Sequence, residues 1–275
     1  MAHTITIKAG GSEKDYWKDL WLNRQLLWIL SKRDISVRYK QTVLGVAWSV
    51  LRPLMTMLVM VLVFQVLAKM EGDPGIPYPL GVLSGLTIWT FFSNTFTQIS
   101  GSILINSNLV SKVYFPRLLM PLSAIAVGFV DFLLTFVIFI FLTAYYQFPI
   151  SANIIYLPVF IALTFMTSLG FGLFFAVLNV RFRDIGQLIP FMVQVGTWAC
   201  PVSYSSRLAK GTWFEPYYNL NPLVGIIDGF KWCLLGDKVN FNPETLTYTT
   251  IVSFLVLIFS VIYFRKKENT FVDHI

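Results

Sequence analysis

Arg38-Tyr39-Lys40-Gln41-Thr42-Val43-Leu44-Gly45-Val46-Ala47-Trp48-Ser49-Val50-Leu51-Arg52-Pro53 carries a basic, aromatic segment straight into an apolar run. Ammonium and guanidinium groups stay at the headgroup layer, while the residues after Ala47 are apolar enough to enter hydrocarbon, so a water-facing chain here turns into a membrane. Upstream, Trp17, Leu20, Trp21, Arg24, Leu27 and Trp28 recur every three or four residues and predict one helical stripe. Tryptophan offers an apolar body and a polar tip. Mixed with Lys18, Arg24, Lys32 and Arg33, that stripe suits a helix lying in the headgroup plane. A helix packed in water would show the same spacing.

Downstream the chain is built for a bilayer. Of its 275 residues 56% are apolar and 13% charged, against about 25% charged in a soluble domain. Crossing a hydrocarbon core takes about 17 to 25 helical residues, and six stretches qualify: 47–68, 80–99, 118–145, 154–178, 185–204 and 246–264. The predicted fold class is all-α: a polytopic membrane protein of six transmembrane helices, an N-terminal amphipathic interfacial helix, and external re-entrant helices between the fifth and sixth spans. Residues 1–15 read as a flexible tail, 16–42 as the interfacial helix, 43–265 as the six-span domain and 266–275 as a tail. Sixteen of the 21 lysines and arginines fall on one side of that arrangement and five on the other, which places both termini in the cytoplasm. The net charge of +7 is thus a topology signal and no nucleic-acid footprint. No cleavable leader is expected, since no basic segment with a short apolar core opens the chain.

The connection after the fifth span holds Trp213, Phe214, Pro216, Tyr217, Tyr218 and Trp232 around the apolar stretch 223–230. That stretch is too short to cross and too apolar for water, hence the re-entrant reading; a reorienting loop is the plainer alternative.

Catalytic patterns are absent from the sequence. It has no H-E-x-x-H, no G-x-S-x-G and no Walker A lysine, so it is read as no enzyme, and an ATP-driven process would need its ATPase on another chain. Cys200 and Cys233, with His3 and His274, match no metal site and too small a set for a disulfide framework. Asp131 is the one acid inside a predicted span, among Phe129, Phe132 and Phe136. Such a carboxylate faces protein or water, as a buried structural partner, a conduit-facing group or a proton-coupling site. Aromatic rings make up 16% of the chain; interfacial belts account for much of this, and a ring-lined conduit for sugars is the other use.

Four stretches, in order, carry a family resemblance: Arg33-Asp34 with Arg38-Tyr39-Lys40 and Leu44-Gly45-x-x-Trp48 through Pro53; Lys112-Val113-Tyr114-Phe115-Pro116-Arg117; Asn179-x-Arg181-Phe182-Arg183-Asp184-Ile185; and Asn221-Pro222-Leu223. Together they resemble the ABC-2 permeases, in particular the transmembrane subunits that export lipid-linked polysaccharides such as O antigens, related to capsule and teichoic acid exporters. The resemblance implies a homodimer in the bacterial inner membrane, joined to two copies of a nucleotide-binding subunit that binds ATP and Mg2+; this chain itself carries no cofactor. It implies that Arg38, Tyr39 and Lys40 sit at a cytoplasmic gate helix where an undecaprenyl diphosphate headgroup arrives. It assigns coupling to the ATPase to Arg33, Asp34, Asn108, Lys112, Phe115, Arg117, Arg181, Arg183 and Asp184. Trp48, Asp131, Phe129, Phe132 and Phe136 fall to a conduit or its frame, and Trp213, Tyr217, Tyr218, Asn221, Pro222 and Trp232 to an external gate. Other cargoes within the class are capsule, teichoic acid and small hydrophobic compounds. An intramembrane enzyme acting on lipid-linked glycans would need clustered acids or histidines at one depth, and a proton-coupled transporter would depend on Asp131.

Overall fold

The computed structural model describes residues 13–40, 45–113 and 115–271 and, within them, every side chain except those of residues 13–15, 217 and 269. Gln41 to Leu44 of the opening stretch, Tyr114, residues 1–12 of the expected tail and residues 272–275 lie outside the described residues. All regular structure among the described residues is helical. Glu13–Leu22 (α1) and Arg24–Lys40 (α2) precede Ala47–Met60 (α3), Tyr78–Ile105 (α4), Ser107–Lys112 (α5) and Leu119–Tyr145 (α6). Then come Leu157–Arg181 (α7), Ile185–Ala199 (α8), Glu215–Leu220 (α9), Pro222–Leu235 (α10) and Pro243–Lys267 (α11).

Four helices, not six, are long and apolar enough to cross a membrane: Ala47–Leu67, Leu119–Tyr145, Ala152–Arg181 and Pro243–Lys267. The expected second and fifth spans are the ones corrected. The stretch 80–99 lies in α4, whose 28 residues have the length but carry Ser84, Thr87, Thr90, Ser93, Asn94, Thr95 and Thr97. Those groups are tolerable because α4 is wrapped by protein: most of it is buried, and Thr87, Thr90 and Thr97 donate back to their own helix's carbonyls at 2.7–2.8 Å. The stretch 185–204 gives only the 15-residue α8, about 22 Å long. The helix ends where Cys200 turns extended ahead of Pro201.

The single interfacial helix expected over 16–42 is two helices, broken at Asn23, whose side-chain amide donates to Asp19 O at 2.7 Å. Trp17, Trp21 and Trp28 are exposed, whereas Leu20, Leu26 and Leu27 pack on a buried cluster. That cluster, formed by Ile99, Ile103, Phe115, Leu119, Leu173, Phe264 and Phe271, gathers the ends of α4, α7 and α11 with the start of α6. We call this the basic end, since Arg33, Lys112, Arg117, Arg181, Arg183 and Arg265 all lie there. A clasp closes it: the Tyr16 hydroxyl donates to Glu268 Oε2 at 3.1 Å, Arg265 pairs with Glu268, and the Arg265 guanidinium lies 3.2 Å from the centre of the Tyr16 ring. Burial, then the Glu268 charge, raises the Tyr16 pKa, and burial raises that of Glu268.

A second core fills the opposite end, from Tyr78, Leu80, Leu83, Leu86, Phe91, Phe132, Phe160, Ile226 and Phe230. Here α10 is a buried helix inside the protein. Asn221 Oδ1 accepts from Leu223 N at 3.0 Å to start it, Pro222 opens its first turn, and Gly236 at φ +79° ends it. Gly229 lets α10 press on α7: a Cβ there would stand 1.9 Å from Phe160 Cε1. After Met60, the membrane-crossing α3 widens its winding over Val61–Leu67, with Ala68 N bonding Val63 O at 2.9 Å.

Candidate functional site

Where α2 ends and α3 begins, the chain leaves a cavity of about 520 Å³ against α4 and α6. Its wall includes Arg38, Tyr39, Trp48, Ser49, Arg52, Asn94 and Asp131. Asp131 is 5% exposed, and a carboxylate so buried persists only when its lone pairs are filled. They are filled from three other helices. Arg38 Nη2 donates at 2.5 Å and Asn94 Nδ2 at 3.1 Å to Oδ2, while the Tyr39 and Ser49 hydroxyls donate to Oδ1 at 2.7 and 3.0 Å. Burial, then the bond to Asp131, pushes the Tyr39 phenol up to about 12, so it stays protonated and donating at neutral pH.

Asp131 neutralises Arg38 and leaves Arg52 without an acidic partner among the described residues. The cavity therefore carries one surplus positive charge, beside a tryptophan and several hydroxyls. It is fitted chemically to an anion with hydrogen-bonding substituents. Arg38 and Tyr39 of the expected headgroup set are brought together here, and Lys40 is exposed outside the wall. Arg52, Asn94 and Ser49 were not singled out from sequence. Arg52 reads equally as a snorkelling residue, and Asn94 hides among the rings of 80–99; the usable signal was that an amide and a guanidinium fall inside stretches read as spans.

The remaining expected residues separate by location. Phe129, Phe132 and Phe136 form a stacked ladder on α6 with centroids 5.7–5.9 Å apart; Phe132 is buried against Phe91 and Phe230, and Phe129 is exposed. Trp48 is half-exposed at the cavity. Of the coupling set, Asn108, Lys112, Arg183 and Asp184 are exposed at the basic end. Arg33 instead binds Asp34 and Asn106 Oδ1, both at 2.7 Å, while Asp34 accepts from Ser123 at 3.3 Å, so these two tie α2 to its neighbours. Phe115 is buried in the basic-end core, Arg117 Nη1 is buried without a hydrogen-bond partner, and the Arg181 guanidinium lies 5.1 Å over the Phe182 ring.

At the other end, a cavity of about 470 Å³ is lined by rings, among them Trp89, Phe92, Phe96, Phe175 and Phe191. Asn221 and Pro222 border it. Tyr218 is buried and donates to Ser206 Oγ at 3.3 Å, Trp232 stacks on Phe241 at 5.0 Å, and Trp213 is fully in the open. The Tyr217 side chain lies outside the described residues. Two buried charges on α10 escaped the sequence reading: Lys231 Nζ donates to Pro201 O at 2.5 Å and to Tyr204 O at 3.3 Å, and Asp228 accepts from Ser206. Their i, i+3 spacing in an apolar helix was the available sign.

The family model described as ABC-2 type transporter matches residues 25–235, from α2 through α10. The chain belongs to the ABC-2 type transporters. This ABC-2 permease is 27% identical over 252 residues to the O-antigen export system permease protein RfbA of Klebsiella pneumoniae, covering 90% of its own length and 94% of the relative's. It is 26% identical to the protein of the same description from Myxococcus xanthus, over 94% and 98% of the two chains. To the polysialic acid transport protein KpsM of Escherichia coli it is 23% identical, over 86% and 91%. The permease is thus a multi-pass membrane subunit homologous to polysaccharide, capsule and O-antigen export permeases. ABC-2 membrane domains are non-catalytic transport subunits that lack nucleotide-binding motifs, and the family works with a separate ATPase.

Proposed function

We propose that this permease is the membrane subunit of an ATP-driven exporter that moves undecaprenyl-diphosphate-linked polysaccharide of the O-antigen type from the cytoplasmic to the periplasmic side of a bacterial inner membrane. Two copies pair with two ATPase subunits that dock at the basic end, over Asn108, Lys112, Arg183 and Asp184, and both termini are cytoplasmic. The names of its relatives support the cargo class, and the observation that carries the reading is the surplus positive charge of the cavity around Arg38, Arg52 and Asp131. A diphosphate entering it meets Arg52 first. Its oxygens then compete with the Asp131 carboxylate for Arg38, and gaining them loosens the hold of α6 on the end of α2. ATP hydrolysis on the partner supplies the stroke, and the sugars follow through weak contacts with rings that release as readily as they hold.

The test is reconstitution with the cognate ATPase and a lipid-linked glycan. Arg52→Gln is expected to lower glycan movement at least tenfold, on the scale of one lost charge-assisted contact, with the complex still assembled. Undiminished transport would remove the headgroup role. The enclosed aromatic cavity favours a second reading, export of a small hydrophobic compound. Stimulation of the ATPase by such compounds, and none by lipid-linked glycan, would select it.

A further inference from the structure

At the basic end, beyond the cavity around Asp131, the last turns of α7 and α11 enclose a cleft of about 220 Å³. Its floor is buried and apolar, made of Val180 and Phe271, and its rim holds Arg181 and Lys267. Cations at helix C-termini complement the helix dipole, but these two also converge on one opening. Neither has an acidic partner among the described residues. The nearest acid in sequence, Glu268, is turned away and held by Arg265 and Tyr16.

The cleft continues into an apolar track. Tyr263 lines it and stacks on Phe259 at 6.1 Å and 3°, and its ring lies 5.6 Å from that of Phe174. Phe259 and Ile262 are more than half exposed on α11, a helix long and apolar enough to cross the membrane. Two unpaired cations stand above an exposed hydrocarbon strip at the end of two spanning helices. That juxtaposition matches a molecule with a phosphodiester at one end and acyl chains at the other.

We infer that the cleft between α7 and α11 is a site for an anionic glycerophospholipid, with Arg181 and Lys267 on the phosphodiester and an acyl chain along Tyr263 and Phe259. A protein surface would find no apolar track useful at this depth, and a free phosphate would leave the track empty. The site is separate from the proposed headgroup cavity and does not depend on it. It pins the ends of α7 and α11 together at the leaflet surface.

The experiment uses the permease co-purified with its ATPase in mild detergent, with bound lipid counted by native mass spectrometry after incubation with phosphatidylglycerol or phosphatidylcholine. Wild type is expected to retain phosphatidylglycerol roughly tenfold better, as two basic groups near an anionic headgroup allow. Arg181→Gln/Lys267→Gln is expected to lose that preference, Arg181→Lys/Lys267→Arg to keep it, and Lys18→Gln/Lys266→Gln, which removes equal charge from exposed positions nearby, to keep it too. Four results overturn the proposal: retention unchanged in Arg181→Gln/Lys267→Gln; equal loss in the Lys18/Lys266 control; full displacement of the lipid by inorganic phosphate, which marks a small-anion site; or intact lipid retention with loss of the ATPase, which marks a protein-docking surface.

Discussion

Asp131 and Asp228 are both buried carboxylates in apolar helices, 5% and 8% exposed, and they are held in opposite ways. Donors to Asp131 come from α2, α3 and α4, at sequence separations of 93, 92, 82 and 37 residues. Asp228 is served by Ser206, 22 residues before it, and Lys231 one turn along closes on the carbonyls of Pro201 and Tyr204. Any shift of α2 or α3 against α6 opens the first shell, while the second travels with α10 as one piece. A carboxylate whose partners belong to separate elements can report the arrival of a ligand; one with local partners only braces its own corner.

That contrast breaks most readily at Asp131. Asp131→Ala leaves Arg38 charged and unpaired in a partly buried wall, and thermal unfolding should show a loss of about 3–5 kcal/mol. Arg38→Ala/Asp131→Ala should recover a good part of it, and a double variant as poor as the single would deny the pair its importance. Next is the packing that fixes the local shell. Gly229→Ala drives a methyl into the Phe160 ring, with an expected cost of about 1–3 kcal/mol that Phe160→Leu should relieve. Asparagine variants sharpen the comparison further: Asp131→Asn should impair glycan transport, whereas Asp228→Asn should cost about 1–2 kcal/mol of stability through its charge-assisted bond and leave transport per folded molecule unchanged. Equal transport defects would erase the distinction. The smallest effect is expected of Tyr39→Phe, which removes one of four donors and about 1 kcal/mol by the same measurement.

Four of the membrane-crossing segments were legible because their apolar runs are long and continuous, as in 118–145 and 246–264. The other two expected spans failed for opposite reasons. The innermost helix, α4, faces protein on nearly all sides, so it can carry hydroxyls and an amide that a lipid-facing helix could not, and a window rich in Leu, Phe and Trp concealed them. In 185–204 the apolar count was right, but Pro201 set the stop. At the candidate site, Arg38 and Tyr39 stood out as charge and ring at a membrane entry. Their pairing with Asp131, 93 and 92 residues away, has no trace in local periodicity. Arg52 could be placed only once the partners of Arg38 were known.

The widened winding of Val61–Leu67 sets how far α3 tolerates a change of length. A helix with bonds from each N–H to the fifth residue before it holds one residue more than regular winding needs over the same rise. Removing a single residue between 61 and 67 lets the segment tighten to the ordinary pitch, so the reach of the span is preserved, while everything beyond Leu67 rotates by about 100° about the axis. The same deletion in α6, wound regularly throughout, has no such slack and must drag Asp131 away from Arg38.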